Sequence, residues 1–154
     1  MSSKQKILMV CLGNICRSPL AEALLKSKVN PEKVLVDSAG LDSYHAGEPP
    51  CPSSINIAAE HGLDITNLRA RPFETADFDK FDKIYIMDKL NEALIRKKAR
   101  NAADLAKVDF ILNEIFPGEN IEVPDSYQKG RSAAKLVYDM LDKATSAIAK
   151  KLEN

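Results

Sequence analysis

One stretch near the start of the chain constrains its fold most. Lys6 to Val10 (KILMV) is an apolar run, and Cys11-Leu12-Gly13-Asn14-Ile15-Cys16-Arg17-Ser18-Pro19 follows it directly. A short apolar run bounded by Gly-Asn reads as a strand buried on both faces, as in parallel sheets covered by helices. Ser18 can cap a helix and Pro19 suits the first helical position, so the spacing predicts a helix over 18–29. Leu20, Leu24 and Leu25 fall on one face of it. Strand, loop and helix in that order put the loop at the carboxyl end of a sheet, where open α/β folds bind ligands.

Five residues separate Cys11 from Arg17. A loop of that length can curl until its backbone N–H groups converge on one point. Gly13 and Asn14 are residue types that tolerate the positive φ of such a curl. A concave ring of N–H groups closed by a helix N-terminus binds anions without net charge. Leu12, Gly13, Asn14, Ile15, Cys16, Arg17 and Ser18 would form this phosphate site, with Arg17 gripping two oxygens of a tetrahedral oxyanion. The same donors favour a thiolate at Cys11, and Ser18 can donate to it. The chemistry implied is attack of sulfur on phosphorus through a phosphocysteine, with donors on the equatorial oxygens. The alternative is an inert buried Cys ending a strand. Cys and Arg at that spacing alone are a weak motif; the whole string in a strand–loop–helix context is strong.

The rest of the chain alternates strand and helix signals, with no internal repeat and no linker. Strands are expected at 34–36, 83–87 and 107–112, and helices at 53–61, 89–100 and 132–152. The last helix would turn Leu136, Met140, Leu141, Ala144, Ile148 and Leu152 inward. The pattern is α/β, four strands with crossover helices in one layered domain over 1–154.

Charge narrows the partners. The chain carries 22 Lys and Arg against 22 Asp and Glu, a net charge of zero. Bulk charge therefore does not hold it to nucleic acid, and any positive potential must be local. No apolar run approaches the ~20 residues of a membrane span, and Ile7 to Leu12 is too short for a signal-peptide core. Three cysteines without a secretion signal read as reduced thiols in a cytoplasmic protein. No metal is expected, because Cys11, Cys16, Cys51, His45 and His61 lack ligand spacing. No cofactor is implied. The basic run Arg96 to Arg100 reads as a solvated helix end, where cations suit the dipole.

The string from Val10 to Pro19 with Ala21-Glu22 resembles the phosphate loop of the low-molecular-weight protein tyrosine phosphatases. The resemblance continues through Val36–Gly40, Tyr44, Gly47, Ala70-Arg71, Asp77-Phe78, Phe81-Asp82, Met87-Asp88 and Val123-Pro124-Asp125, and so covers essentially the whole chain. It implies a four-stranded parallel sheet with helices on both faces, no metal, Cys11 as nucleophile and Arg17 as ligand of the phosphate. It implies Asn14 and Ser38 behind the loop and Ser18 on the thiolate. Leu12, Ile15, Tyr44 and Tyr127 would line a slot for an aryl ring, deep enough to favour phosphotyrosine over the short phosphoserine stem. The partner is then a phosphotyrosine protein or a small aryl phosphate, and the enzyme a monomer.

A thiolate attacking an aryl phosphate needs a proton donor for the leaving phenolate. Of 22 acidic residues, Asp125 follows Pro124 in a loop after the fourth strand and matches the resembled acid motif. A loop Asp making an Asx-turn is the alternative. Asp88 would cap the following helix. The chain departs from the pattern at Ser126, where a Pro is usual, at Gln128, where a second aromatic is usual, and at Leu68, where many relatives have His. A less rigid acid loop and weaker aryl selectivity follow. Cys16 reads either as a packed small side chain or, as the resemblance implies, as the partner of Cys11 in a protective reversible disulfide. Cys51, between Pro50 and Pro52, reads as incidental.

Two other readings compete. An arsenate reductase on this fold needs resolving cysteines well after the loop, and none follows Cys51. A silent phosphate-binding module would be expected to have lost Cys11 or Asp125, and both are present.

Overall fold

The computed structural model describes residues 4–153. Four strands, β1 (Gln5–Cys11), β2 (Val34–Gly40), β3 (Lys83–Ile86) and β4 (Val108–Phe110), pair in parallel in the order β2-β1-β3-β4. The strand period of two divides β1 between two cores. Ile7, Met9 and Cys11 pack with Leu20, Leu24 and Leu25 of α1 (Arg17–Lys26), Ile57 of α2 (Pro52–Glu60) and Leu141 and Ile148 of the closing helix. Leu8 and Val10 pack on the other face against Phe78 of α3 (Asp77–Lys80) and Ile95 of α4 (Lys89–Lys98). Helices thus cover both faces of a four-stranded parallel sheet, the expected α/β architecture. Two short elements complete it, α5 (Ala102–Ala106) and a 3-10 turn at Ile111–Glu114. No helix of the described residues is long and apolar enough to cross a membrane.

The structure corrects several expected boundaries. The first helix starts at Arg17 and ends at Lys26, so Ser18 lies inside it and does not cap it. The last strand stops at Phe110, where the chain tightens into the 3-10 turn while still burying Ile111 and Leu112. The helices α3 and α5 are too short for a periodic apolar signal. The closing helix, α6 (Arg131–Glu153), buries Ala134, Val137, Tyr138, Leu141, Ala144, Thr145, Ile148 and Ala149. That stripe follows the 3.6-residue period, and Leu136 falls outside it, 52% exposed. Thr145 is tolerated in the stripe because its hydroxyl donates to Leu141 O at 2.7 Å.

The end of β2 positions the loop that follows β1. Gly40 pairs with Cys11 and bonds Arg71 O through its N–H and Phe73 N through its carbonyl. A Cβ at Gly40 would lie 2.9 Å from Leu12 O and 3.0 Å from Gly13 C, both backbone atoms that cannot swing aside. Gly40→Ala is therefore expected to cost roughly 1–3 kcal/mol by overpacking. The urea midpoint and phosphate binding should fall together, because the displaced atoms belong to the loop itself.

Candidate active site

Between β1 and α1, residues 12–16 curl at the carboxyl edge of the sheet. Asn14 adopts φ +57, the left-handed conformation anticipated for this residue type. Its amide is fully committed. Arg71 N–H can only donate, and it points at Asn14 Oδ1 at 3.0 Å. The amide nitrogen therefore donates to Ser18 Oγ at 2.8 Å and to Ser38 Oγ at 2.9 Å. Ser38 in turn donates to Glu22 Oε1 at 2.6 Å. Ser18 Oγ, already accepting from Asn14, sits 3.0 Å from Cys11 Sγ with its own proton free to donate to a thiolate there. The backbone N–H of Asn14 also donates to that sulfur, at 3.3 Å. One backbone donor on Arg71 thus fixes the orientation of the Asn14 amide and with it the bonds to Ser18 and Ser38.

This chain runs on behind the loop. Glu22 is 3% exposed and its second oxygen pairs with Lys26. Leu68 packs against the apolar core, and Glu22 takes up the Ser38 hydroxyl in the space behind the loop. Arg71 is held by Asp37 and Asp77 at 3.0–3.1 Å. Burial pulls the Arg71 guanidinium down, and the Asp77 hydrogen bond with the Asp37 and Asp77 charges outweighs it, leaving it above its ordinary value. Asn14→Ala removes three hydrogen bonds at about 1 kcal/mol each and leaves a non-Gly residue left-handed at roughly 1 kcal/mol more. A loss of about 3–4 kcal/mol in urea unfolding is expected, with Asn14→Gly recovering the backbone part alone.

Arg17, 3% exposed, reaches across the edge of the sheet. Its Nη1 donates to Asp88 Oδ2 at 2.6 Å and to Val123 O at 2.9 Å. Asp88 also caps α4 by accepting from Asn91 N at 2.8 Å, as the sequence suggested. Val123 N–H bonds Met87 O at 2.8 Å. The guanidinium therefore ties the loop after β1 to the segment carrying Asp125.

A cleft of about 140 Å³ opens above the sulfur. Its lining brings together Cys11, Leu12, Gly13, Ile15, Cys16 and Arg17 with Tyr44, Asp125 and Tyr127. Asn14, Ser18 and Ser38 lie behind it. Asp125 is exposed, and its Oδ1 accepts from Tyr127 N at 2.9 Å, so the Asx-turn is present in a residue that also faces the cleft. Lys129 N to Ser126 O at 3.1 Å and Gln128 at φ +58 complete a tight turn there.

Sequence reasoning missed Asp42 and His45, which also line the cleft. His45 packs on the Gly13 backbone, bonds Glu48 at 3.0 Å, and lies 4.8 and 5.7 Å, ring centre to ring centre, from Tyr44 and Tyr127. Its position one residue after Tyr44, in a Gly- and Pro-rich loop, was the available clue. Cys51 was also misjudged. It is no bystander: its sulfur is bonded to Cys16, with Cα atoms 5.5 Å apart, while Cys11 is free and buried. Proline on both sides places Cys51 as the N-cap of α2, and that helix end docks on the loop.

Fold and site together define an α/β protein with a free cysteine at the floor of a cleft formed by a strand–loop–helix turn. The comparisons narrow the class. The family model described as low molecular weight phosphotyrosine protein phosphatase matches residues 6–154. The mouse low molecular weight phosphotyrosine protein phosphatase is 33% identical over 152 residues, 96% of this chain and 95% of the relative. A crystal structure of a protein tyrosine phosphatase from Entamoeba histolytica with Hepes in the active site superposes with a TM-score of 0.89 at 33% identity, covering 97% of each chain. Vibrio vulnificus Wzb in complex with benzylphosphonate gives a TM-score of 0.86 at 30% identity, covering 97% of this chain and 99% of that one. The chain belongs to the low molecular weight phosphotyrosine protein phosphatase family, and it is a hydrolase of that kind.

Proposed function

We propose that the enzyme hydrolyses phosphotyrosine, or a small aryl phosphate, through a phosphocysteine on Cys11. The observation that carries this reading is the environment of one atom. Cys11 Sγ receives Ser18 Oγ at 3.0 Å and Asn14 N at 3.3 Å, in a cleft that Arg17 and Asp125 also line. The backbone N–H donates and the hydroxyl can, an arrangement that suits a thiolate. The phosphoryl oxygens would sit in the N–H groups of residues 12–18 at the N-terminus of α1, with Arg17 completing the ring. Sulfur attacks phosphorus and the phenolate leaves, taking the Asp125 proton. Asp125, now ionised, takes a proton from water, whose oxygen attacks phosphorus and frees Cys11. Arg17 holds its orientation through both steps because Asp88 and Val123 anchor one of its nitrogens.

Leu12, Ile15, Tyr44 and Tyr127 form the walls for the aryl ring, joined by His45. That Wzb was crystallised with benzylphosphonate supports an aryl substrate here. The same reading makes the enzyme a cytoplasmic monomer acting on a phosphoprotein or small aryl ester, with neither nucleic acid nor membrane as partner. Phosphate release from paired phosphotyrosine and phosphoserine peptides tests it. Turnover of the first and none of the second is expected; equal rates would remove the slot argument. Because Gln128 stands where a second aromatic is usual, the ratio of phenyl to alkyl phosphate turnover should fall below that of the mouse relative, and an undiminished ratio would overturn that point.

A further inference from the structure

The bond between Cys16 and Cys51 joins residues 35 apart, and its Cα separation of 5.5 Å lies in the range that a disulfide spans. It is seated by more than the sulfurs. Cys51 N donates to Ile15 O at 2.7 Å, and Ser54 Oγ donates to Cys16 O at 3.0 Å. Ile15, Cys16, Cys51 and Ala70 form a separate small apolar cluster around the pair. These contacts hold the two cysteines together whether or not the bond is made, so closing it costs little rearrangement.

Both cysteines are buried, but they differ in position. Cys16 lines the cleft beside Cys11, whereas Cys51 lies behind it. Cys51 is the N-cap of the nine-residue α2, with Ser53 and Ser54 hydroxyls 3.5 and 3.3 Å from its sulfur. A thiol at a helix N-terminus is placed to react as thiolate. An oxidant in the cleft reaches Cys16 beside Cys11, and Cys51, able to resolve an oxidised Cys16, stands directly behind it.

We propose that Cys16 and Cys51 are a peroxide-responsive thiol pair, whose disulfide locks the phosphate loop to α2 and leaves Cys11 free. A hydroperoxide transfers its terminal oxygen to the Cys16 thiolate, giving Cys16 sulfenic acid and releasing the alcohol, or water from hydrogen peroxide. The Cys51 thiolate attacks that sulfur, forms the S–S bond and expels hydroxide, which leaves as water. Two thiols are oxidised and one peroxide is reduced. A dithiol reverses the change. Oxidation is then absorbed beside the nucleophile instead of on it, in place of the Cys11–Cys16 pairing anticipated from sequence.

The full-length chain is treated with graded hydrogen peroxide, alkylated, digested and mapped by mass spectrometry, with p-nitrophenyl phosphate turnover followed in parallel. A Cys16–Cys51 peptide that appears first and disappears with dithiothreitol, with Cys11 still alkylated, is expected. The urea midpoint should rise on oxidation. Cys51→Ser should match the untreated wild type in turnover and circular dichroism, yet lose Cys11 alkylation and turnover several-fold faster under peroxide. A Cys11–Cys16 peptide in the wild type, or equal loss in Cys51→Ser, overturns the proposal. The mapping does not depend on phosphatase activity. A chain that forms the Cys16–Cys51 link but turns over no phosphate ester would refute the proposed function and leave this inference standing.

Discussion

Cys11→Ser is expected to remove nearly all measurable aryl phosphate hydrolysis. Deleting a covalent nucleophile typically costs on the order of 10⁴–10⁶ in kcat. The physical reason lies in the neighbours of the sulfur. Asn14 N donates to it, Ser18 Oγ lies at 3.0 Å, and no basic side chain among the described residues hydrogen-bonds to it. Thiols ionise far more readily than alcohols, so attack by sulfur needs no neighbouring base. A serine hydroxyl in their place would have to lose its proton to a group that is absent, so it stays neutral and unreactive. The substitution removes little volume and keeps the hydrogen bonds, so the urea midpoint should hardly move. Binding of inorganic phosphate should survive, since the N–H ring and Arg17 are untouched. Turnover retained in Cys11→Ser would reject the mechanism outright.

Asp125→Asn tests proton transfer to the leaving group. Loss of a general acid typically costs 10²–10⁴-fold. Asparagine is chosen because its amide oxygen can still accept the Tyr127 N–H that Asp125 now accepts at 2.9 Å, so the turn holds. Alanine would remove the proton donor and the turn together and could not separate them. The loss should be large with phenyl phosphate, whose leaving phenolate is a strong base. It should be much smaller with p-nitrophenyl phosphate, whose phenolate leaves with little help. Equal losses in single-turnover release of the two phenols, a step that precedes attack by water, would mean that Asp125 does not protonate the leaving group. Thiol-dependent reduction of arsenate by the wild type would instead favour the redox reading of the fold.

Much of the site was legible because it is local. Gly13 and Asn14 allow the curl, and Asn14 takes the positive φ that its residue type permits. The strand before the loop and the helix after it follow from short-range apolar patterning. The alternation of strands and helices likewise led to four parallel strands, because a buried parallel sheet leaves continuous apolar runs. Boundaries were less legible. Ser18 has the residue type of an N-cap, but its hydroxyl is drawn to Cys11 and Asn14, so the helix starts one residue earlier. Leu136 is apolar and yet exposed, because the phase of the closing helix is set by what it packs on.

The remaining features depend on residues distant in sequence. Arg17 meets Asp88 and Val123 across 71 and 106 positions. Arg71 orients Asn14 across 57, and Ser38 reaches Glu22 across 16. No periodicity or propensity encodes such partners; they arise where strand ends converge and where buried polar groups must each find a donor or acceptor. The cysteines show the division most clearly. Sequence by itself determined that Cys11, at the end of a buried strand before a curling loop, is the nucleophile candidate, because that environment is built from its immediate neighbours. Only the tertiary structure decided that Cys16 belongs with Cys51. That pairing depends on the start of α2 being laid against the loop by Cys51 N to Ile15 O and Ser54 Oγ to Cys16 O, contacts that exist only once the layers have packed.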